Sequence, residues 1–130
     1  MALDPAALPP EALAFLDERH LATLTTLRPD GSPHVVAIAF TWDAGAGLAR
    51  VITGASSRKA RNVAAGGTRA VVAQIDGARW LALEGAARLV TERTAVLEGE
   101  RRYALRYRQP QANPDRAVIE IEVDRVLGRG

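Results

Sequence analysis

Apolar and polar positions change period several times along the chain, and the changes divide it into elements. Pro9 and Pro10 can open a helix over 11–19, with Leu13 and Leu16 on one side. From His20 the residues become β-type, predicting a strand over 20–27. Pro29, Asp30, Gly31 and Ser32 form a strong turn signal, and 33–42 reads as the return strand of a hairpin. A turn at 43–47 leads to a strand over 48–53. Gly54, Ala55, Ser56 and Ser57 break it, and a short helix over 58–65 follows, stopped by Gly66 and Gly67. Strands over 69–75 and 79–90 flank a hairpin turn at Asp76 and Gly77. Gly85, inside the second of these strands, marks a bulge or a close backbone approach. Thr91 can cap a helix over 92–106, with Val96, Gly99, Tyr103 and Tyr107 at helical spacing. A final strand over 116–127 alternates Ile119, Ile121 and Val123 with Glu120, Glu122 and Asp124, so one face should be buried and the other wet.

Six strands joined mostly by hairpins, with short helices inserted, predict a mainly β fold: a six-stranded antiparallel barrel, closed or split. A doubly wound parallel sheet does not fit, because helices do not alternate with strands. The length of 130 residues predicts one domain spanning 1–130, with 1–9 as a flexible N-terminus.

The strand over 33–42 carries His34, Val36, Ile38, Phe40 and Trp42 on one face and Val35, Ala37, Ala39 and Thr41 on the other. The large face can fill a core. The small face is low and flat, and two uses are open for it: a bed for a close-packed helix, or a surface for a planar ring system.

Composition narrows the chemistry. No cysteine is present, which excludes a disulfide scaffold, a thiolate metal site and a cysteine nucleophile. The start of the chain shows no basic stretch followed by an apolar one, and no apolar run approaches the ~18 residues of a membrane span, so the cytoplasm is expected. Net charge is only +2, but its distribution is uneven. No acid lies between Asp43 and Asp76, where Arg50, Arg58, Lys59, Arg61 and Arg69 fall; Lys59 is the sole lysine. A second acid-free window between Glu100 and Asp115 holds Arg101, Arg102, Arg106 and Arg108. Such windows attract anions such as phosphate or carboxylate, or simply solvate helices. With so small a net charge and 5% aromatic residues there is no stacking platform for nucleic acid.

The strongest local candidate is the strand-to-helix junction at 53–62. Ser56 and Ser57 offer hydroxyls, and Arg58, Lys59 and Arg61 add charge beside a helix start, a setting for phosphate or for an ordinary capped basic helix. The glycine spacing of a Walker loop is absent. His20 and His34 are the only histidines and do not have metal-ligand spacing, so no metal site and no catalytic triad are expected. Arg79 and Trp80, just past a tight turn, can form a planar pocket wall or simply pack.

Taken as an ensemble, these residues resemble a known family. Leu21-Ala22-Thr23-Leu24-Thr25-Thr26 followed by Asp30-Gly31-Ser32-Pro33-His34-Val35-Val36 is similar to the flavin- and deazaflavin-binding split β-barrel superfamily that includes pyridoxamine phosphate oxidase. Arg50-Val51-Ile52-Thr53, Lys59-Ala60-Arg61-Asn62, Asp76-Gly77-Ala78-Arg79-Trp80 and the segment 102–108 narrow the resemblance to the coenzyme F420-dependent biliverdin reductases. The resemblance implies an F420-dependent reductase, with an FMN-dependent oxidase or a non-catalytic flavin or tetrapyrrole carrier as alternatives. It implies a homodimer with the cofactor at the subunit interface and a small anionic substrate. Ser57, Arg58, Lys59 and Asn62 would hold the cofactor phosphate. The ring would lie along His34, Val35, Val36 and Ala37, near Ile52 and Thr53. Arg79 and Trp80 would stand nearby, supplied by either chain. Arg79, Arg106 and Arg108 are the candidates for the substrate's propionates, and no general acid is named.

Overall fold

The strand expected over 33–42 is in fact two strands on opposite edges of one sheet, and this division shapes the fold. The computed structural model describes residues 2–66 and 68–130. In chain order the elements are β1 (Ala2–Leu3), a short turn of tighter helix (Pro5–Ala7), α1 (Pro10–Asp17), β2 (Ala22–Leu27), β3 (Pro33–Ile38), β4 (Thr41–Asp43), β5 (Leu48–Gly54), α2 (Arg58–Ala64), β6 (Thr68–Asp76), β7 (Arg79–Val90), α3 (Arg93–Arg106) and β8 (Arg116–Arg129). All pairings are antiparallel, in the order β3-β2-β6-β7-β8-β5-β4, with β1 added to β8.

β3 and β4 end this path, yet only Ala39 and Phe40 separate them in the chain. Three Cα steps reach at most ~11 Å, so the two edges of the sheet lie close together. The sheet is therefore curled around its apolar face. No ladder joins β3 to β4 among the described residues, and the seam stays open. The curl encloses Leu24, Phe40, Val51, Val72, Leu81, Leu83, Ile119 and Ile121, all essentially inaccessible, with Phe15 and Leu16 of α1 plugging one end.

The strand count is thus eight rather than six. β4 exists because a strand paired to β2 cannot pair over the same length with β5, so the chain turns a corner at Ala39–Phe40. The other addition, β1, pairs Ala2 with Leu127 and Leu3 with Val126, and Leu8 joins the core; the segment expected as a flexible extension carries these contacts. The helices begin and end within two residues of expectation. Gly66 has the positive φ of a chain leaving a helix (77°), while Gly67, expected to share that role, lies outside the described residues.

The alternation expected in β8 holds only in its second half. Val118 is buried beneath α3, and Glu120 is only 7% exposed because Arg88 lies 2.7 Å from its carboxylate. Gly99 provides the contact for α3: a Cβ there would stand 2.9 Å from a Val118 methyl and 3.1 Å from an Ile52 methyl. Gly85 fulfils both expectations at once. The β7–β8 register slips between Glu84 and Gly85, and a Cβ on Gly85 would fall 1.8 Å from the Glu122 carbonyl oxygen. Backbone in a central ladder cannot withdraw from such a contact. Gly85→Ala is expected to destabilise the protein by about 3 kcal/mol, read from the midpoint of a urea titration; an unshifted midpoint would disprove this account of the bulge.

Candidate functional site

The junction between β5 and α2 is built from short-range hydrogen bonds. The Ser57 hydroxyl accepts from the Ala60 N–H at 3.3 Å and donates to the Gly54 carbonyl at 2.8 Å, with the Thr53 hydroxyl 3.0 Å away. Ser56 donates through both its N–H and its hydroxyl to Asp115, at 3.1 and 2.9 Å. The two serines expected to meet an anion are therefore engaged as a helix cap and a loop anchor. Fixing the turn in this way leaves Arg58 and Lys59 as its free polar groups.

Lys59 points into a cleft of about 390 Å³ between α2, β5, α3 and the loop that follows α3. Ile38, Ala39 and Ile52 form its apolar wall, and Tyr103, Arg108, Asn113 and Arg116 the opposite side; no carboxylate lines it. Arg116 is committed to Glu100 at 3.1 Å and to the Gln111 carbonyl. Lys59 and Arg108 have no such partner. Burial pushes the Lys59 ammonium below its ordinary pKa, as expected for a shielded charge without a counterion.

This lack of partners is a property of the whole region. Most of the arginines are paired or hydrogen-bonded, as Arg50 is with Asp43 and Arg69 with Asp124. Among the described residues, Arg19, Arg58, Lys59, Arg61, Arg93 and Arg108 alone make neither an ion pair nor a side-chain hydrogen bond. Three of these sit on α2 and one on the cleft's far wall. A site with unneutralised cations, an apolar wall and no acid can receive a planar ligand that carries phosphate or carboxylate.

Several expected residues gather around this site in other roles. Asn62 is buried and donates to the Thr26 hydroxyl at 3.0 Å, while its carbonyl oxygen lacks a partner. His34 pairs across from Thr26, and its Nδ1 is also shielded and unpartnered. Desolvation, with the charges of Arg28, Arg58 and Lys59, holds the imidazole below its ordinary pKa and hence largely neutral at pH 7. Thr53 is buried against the cap. Val36 packs against the core, whereas Val35 and Ala37 face outward from the sheet. Of the strand expected to carry a ring, Ile38 and Ala39 line the cleft rather than Val35, Val36 or Ala37.

Arg79 and Trp80 lie elsewhere, at the β6–β7 hairpin. Arg79 is held by Glu18 at 2.6 Å and by Asp76, over the ring of Phe15, and neither residue lines the cleft. Tyr103, Arg108, Asn113 and Arg116 complete the cleft without having been singled out for it in the sequence. The sequence offers Arg108 for the substrate alone, and the second acid-free window is the one signal for it.

The molecule is thus a mainly β protein whose curled antiparallel sheet carries an acid-free, lysine-bearing cleft beside the helix after its fifth strand. Residues 8–130 match the pyridoxamine 5'-phosphate oxidase family, and the chain belongs to it. It is 58% identical over 118 residues to the F420H2-dependent biliverdin reductase of Mycobacterium tuberculosis (strain CDC 1551 / Oshkosh), covering 91% of this chain and 85% of that protein. A solved F420 reductase superposes with a TM-score of 0.74 at 26% identity, covering 92% of this chain and 98% of that one. A conserved hypothetical protein from Mycobacterium tuberculosis gives a TM-score of 0.77 at 25% identity, over 92% and 83%.

The unpaired lysine has a measurable consequence. Its pKa in the folded chain lies below the unfolded value of 10.5, so near that pH the unfolded state binds more protons and folding stability at this position rises with pH. Lys59→Met should remove this rise and stabilise the ligand-free chain at neutral pH by about 0.5–1 kcal/mol. Denaturant midpoints of both proteins from neutral pH to 10.5 test this; a constant difference across the range would refute it.

Proposed function

We propose that this chain is an F420-dependent oxidoreductase that reduces biliverdin to bilirubin. The observation that carries the reading is the half-buried Lys59, uncompensated in an acid-free cleft, in a chain 58% identical to an F420H2-dependent biliverdin reductase. The residues present fit the cofactor. F420 combines a planar deazaflavin, one phosphate and an anionic oligoglutamate tail, and the cleft combines an apolar wall with cations that lack partners. FMN has a single phosphate and no acidic tail, whereas three unpaired cations, Arg58, Lys59 and Arg61, stand together on α2, more charge than one phosphate needs.

When bound, reduced F420 supplies a hydride and a proton, which biliverdin takes up at its central methine carbon and at nitrogen. The chain's residues supply position and charge. In this reading Arg58 and Lys59 hold the phosphate, with Ser57 and Asn62 shaping the turn that presents them. Ile52 bounds the ring together with Ile38 and Ala39, to which the β3 backbone leads from His34 through Val35, Val36 and Ala37, and Thr53 is buried beside them. Neutral His34 can donate or accept one hydrogen bond without adding charge.

Six of the strands, β2, β3 and β5 to β8, form the split barrel of this proposal, with β1 and β4 as additions. A homodimer completes it. Support comes from the outer face of β3 and β6, where Val35 and Ile75 are each about 60% exposed and would be covered by a second copy. Arg79 and Trp80 would then reach the cleft from the partner. No helix among the described residues is long and apolar enough to cross a membrane, and the proposal places the enzyme in the cytoplasm.

Mixing reduced F420, protein and biliverdin should convert the bilin spectrum to that of bilirubin. No change beyond a protein-free control would overturn the biliverdin reading. Loss of one charge-assisted contact is worth roughly 1.5–3 kcal/mol, so Lys59→Ala should weaken F420 binding by about tenfold or more. Equal affinity in the variant would remove Lys59 from the phosphate site.

A further inference from the structure

A second groove, of about 330 Å³, adjoins the cofactor cleft and shares Ala39, Tyr103 and Arg108 with it. Its remaining walls are Arg19, His20, Leu21 and Tyr107, where the chain leaves α1 and α3 ends. No carboxylate lines it. Leu21 is 62% exposed, and the rings of Tyr103 and Tyr107 lie 5.2 Å apart at 36°, so the groove is apolar and aromatic between its charged ends. Both of its arginines belong to the small set without partners.

The competing arginines are occupied. Arg106 donates to the Glu18 carbonyl at 2.9 Å, the Phe40 carbonyl at 2.7 Å and the Gln74 side chain at 2.6 Å, so each of its three guanidinium nitrogens is engaged within the fold. Arg79 is held between Glu18 and Asp76. Of the three arginines that the sequence offers for the substrate's propionates, only Arg108 remains open, and the fold adds Arg19. The His20 ring donates from Nδ1 to the Leu21 carbonyl at 2.8 Å when that nitrogen carries the proton.

We propose that this groove is the substrate site, in which Arg19 and Arg108 each bind one propionate of a linear tetrapyrrole lying against Leu21, Ala39 and the two tyrosines. This rests on the biliverdin reading above and assigns its specificity-determining residues. Arginine suits the role because its planar fork meets a carboxylate through two parallel hydrogen bonds. Shared residues at Ala39 and Tyr103 put the middle of the substrate, where the central methine lies between the two propionate-bearing rings, beside the cofactor cleft, as hydride transfer requires contact between the two ligands.

Both arginines lack partners, so Arg19→Gln and Arg108→Gln should fold as the parent does. Biliverdin binding is measured first without cofactor, by the change in bilin absorbance, so the result does not depend on turnover. Each variant should bind biliverdin about tenfold more weakly, while biliverdin dimethyl ester, which lacks both charges, should bind parent and variants alike. With saturating reduced F420 the same factor should appear in KM with kcat nearly unchanged, and Arg19→Gln should keep the parent's F420 affinity. Equal binding of diacid and diester by the parent protein would overturn the proposal, as would variants that bind the diacid normally. Biliverdin that binds with the expected arginine dependence but is not reduced would count against the enzymatic reading and in favour of the groove.

Discussion

Arg106 and Tyr107, at the end of α3, hold the corner on which the molecule depends. Where the chain leaves one edge of the sheet for the other, Phe40 loses its ladder partners while its ring is buried. The Tyr107 hydroxyl accepts from the Phe40 N–H at 3.3 Å and lies 2.8 and 3.0 Å from the His20 and Phe40 carbonyls, to either of which it donates. Arg106 reaches the same Phe40 carbonyl, then the end of α1 and Gln74; Gln74, fully buried, donates to the Phe15 carbonyl at 2.8 Å. Each unsatisfied buried group would cost roughly 1–3 kcal/mol. One network thus joins α1, the corner, β6 and α3, and it tolerates a half-buried guanidinium because each of its three nitrogens meets an acceptor. Burial lowers the Arg106 pKa without threatening the charge.

The same clamp decides which cations are free. Arg106 is drawn inward, and Arg108, two residues on, is left outside with no acid in reach. Elsewhere arginine is mostly balanced locally, by Asp43, Glu98, Asp124 and others. Around α2 and the end of α3 this balance is lacking, so a chain with almost no net charge presents a strongly cationic cleft. Stability gains nothing from leaving a half-buried lysine without a counterion. Such an arrangement is expected where a ligand supplies the missing charge.

Much of the fold was legible because its signals are local. Hairpin turns at Gly31 and Gly77, the helix stop at Gly66 and the break at 54–57 placed six strands and three helices nearly where they stand. The corner at Ala39–Phe40 was not legible, since an unbroken apolar alternation continues through it and only the pairing of distant strands reveals the turn. Burial of Glu120 was hidden for a similar reason: its neighbours Arg50 and Arg88 come from other strands. In the site, the junction around Lys59 could be read from contiguous residues. The walls contributed by Tyr103, Arg108 and Asn113 depend on how α3 lies across the sheet. The engagement of Ser56 by Asp115, nearly sixty positions away, likewise has no local sign.

Gly99 gives that lie of α3 its dimension. With no side chain between them, the helix rests directly on Val118 and Ile52, and Ile52 is also the floor of the cleft. Tyr103 stands one helical turn further on, over the cleft, at a height set by that contact. The opening between floor and ring is therefore a gauge whose setting lies outside the pocket. A single methyl group at position 99, touching no ligand, would act as a shim under the helix and change the thickness of the plate that can slide in.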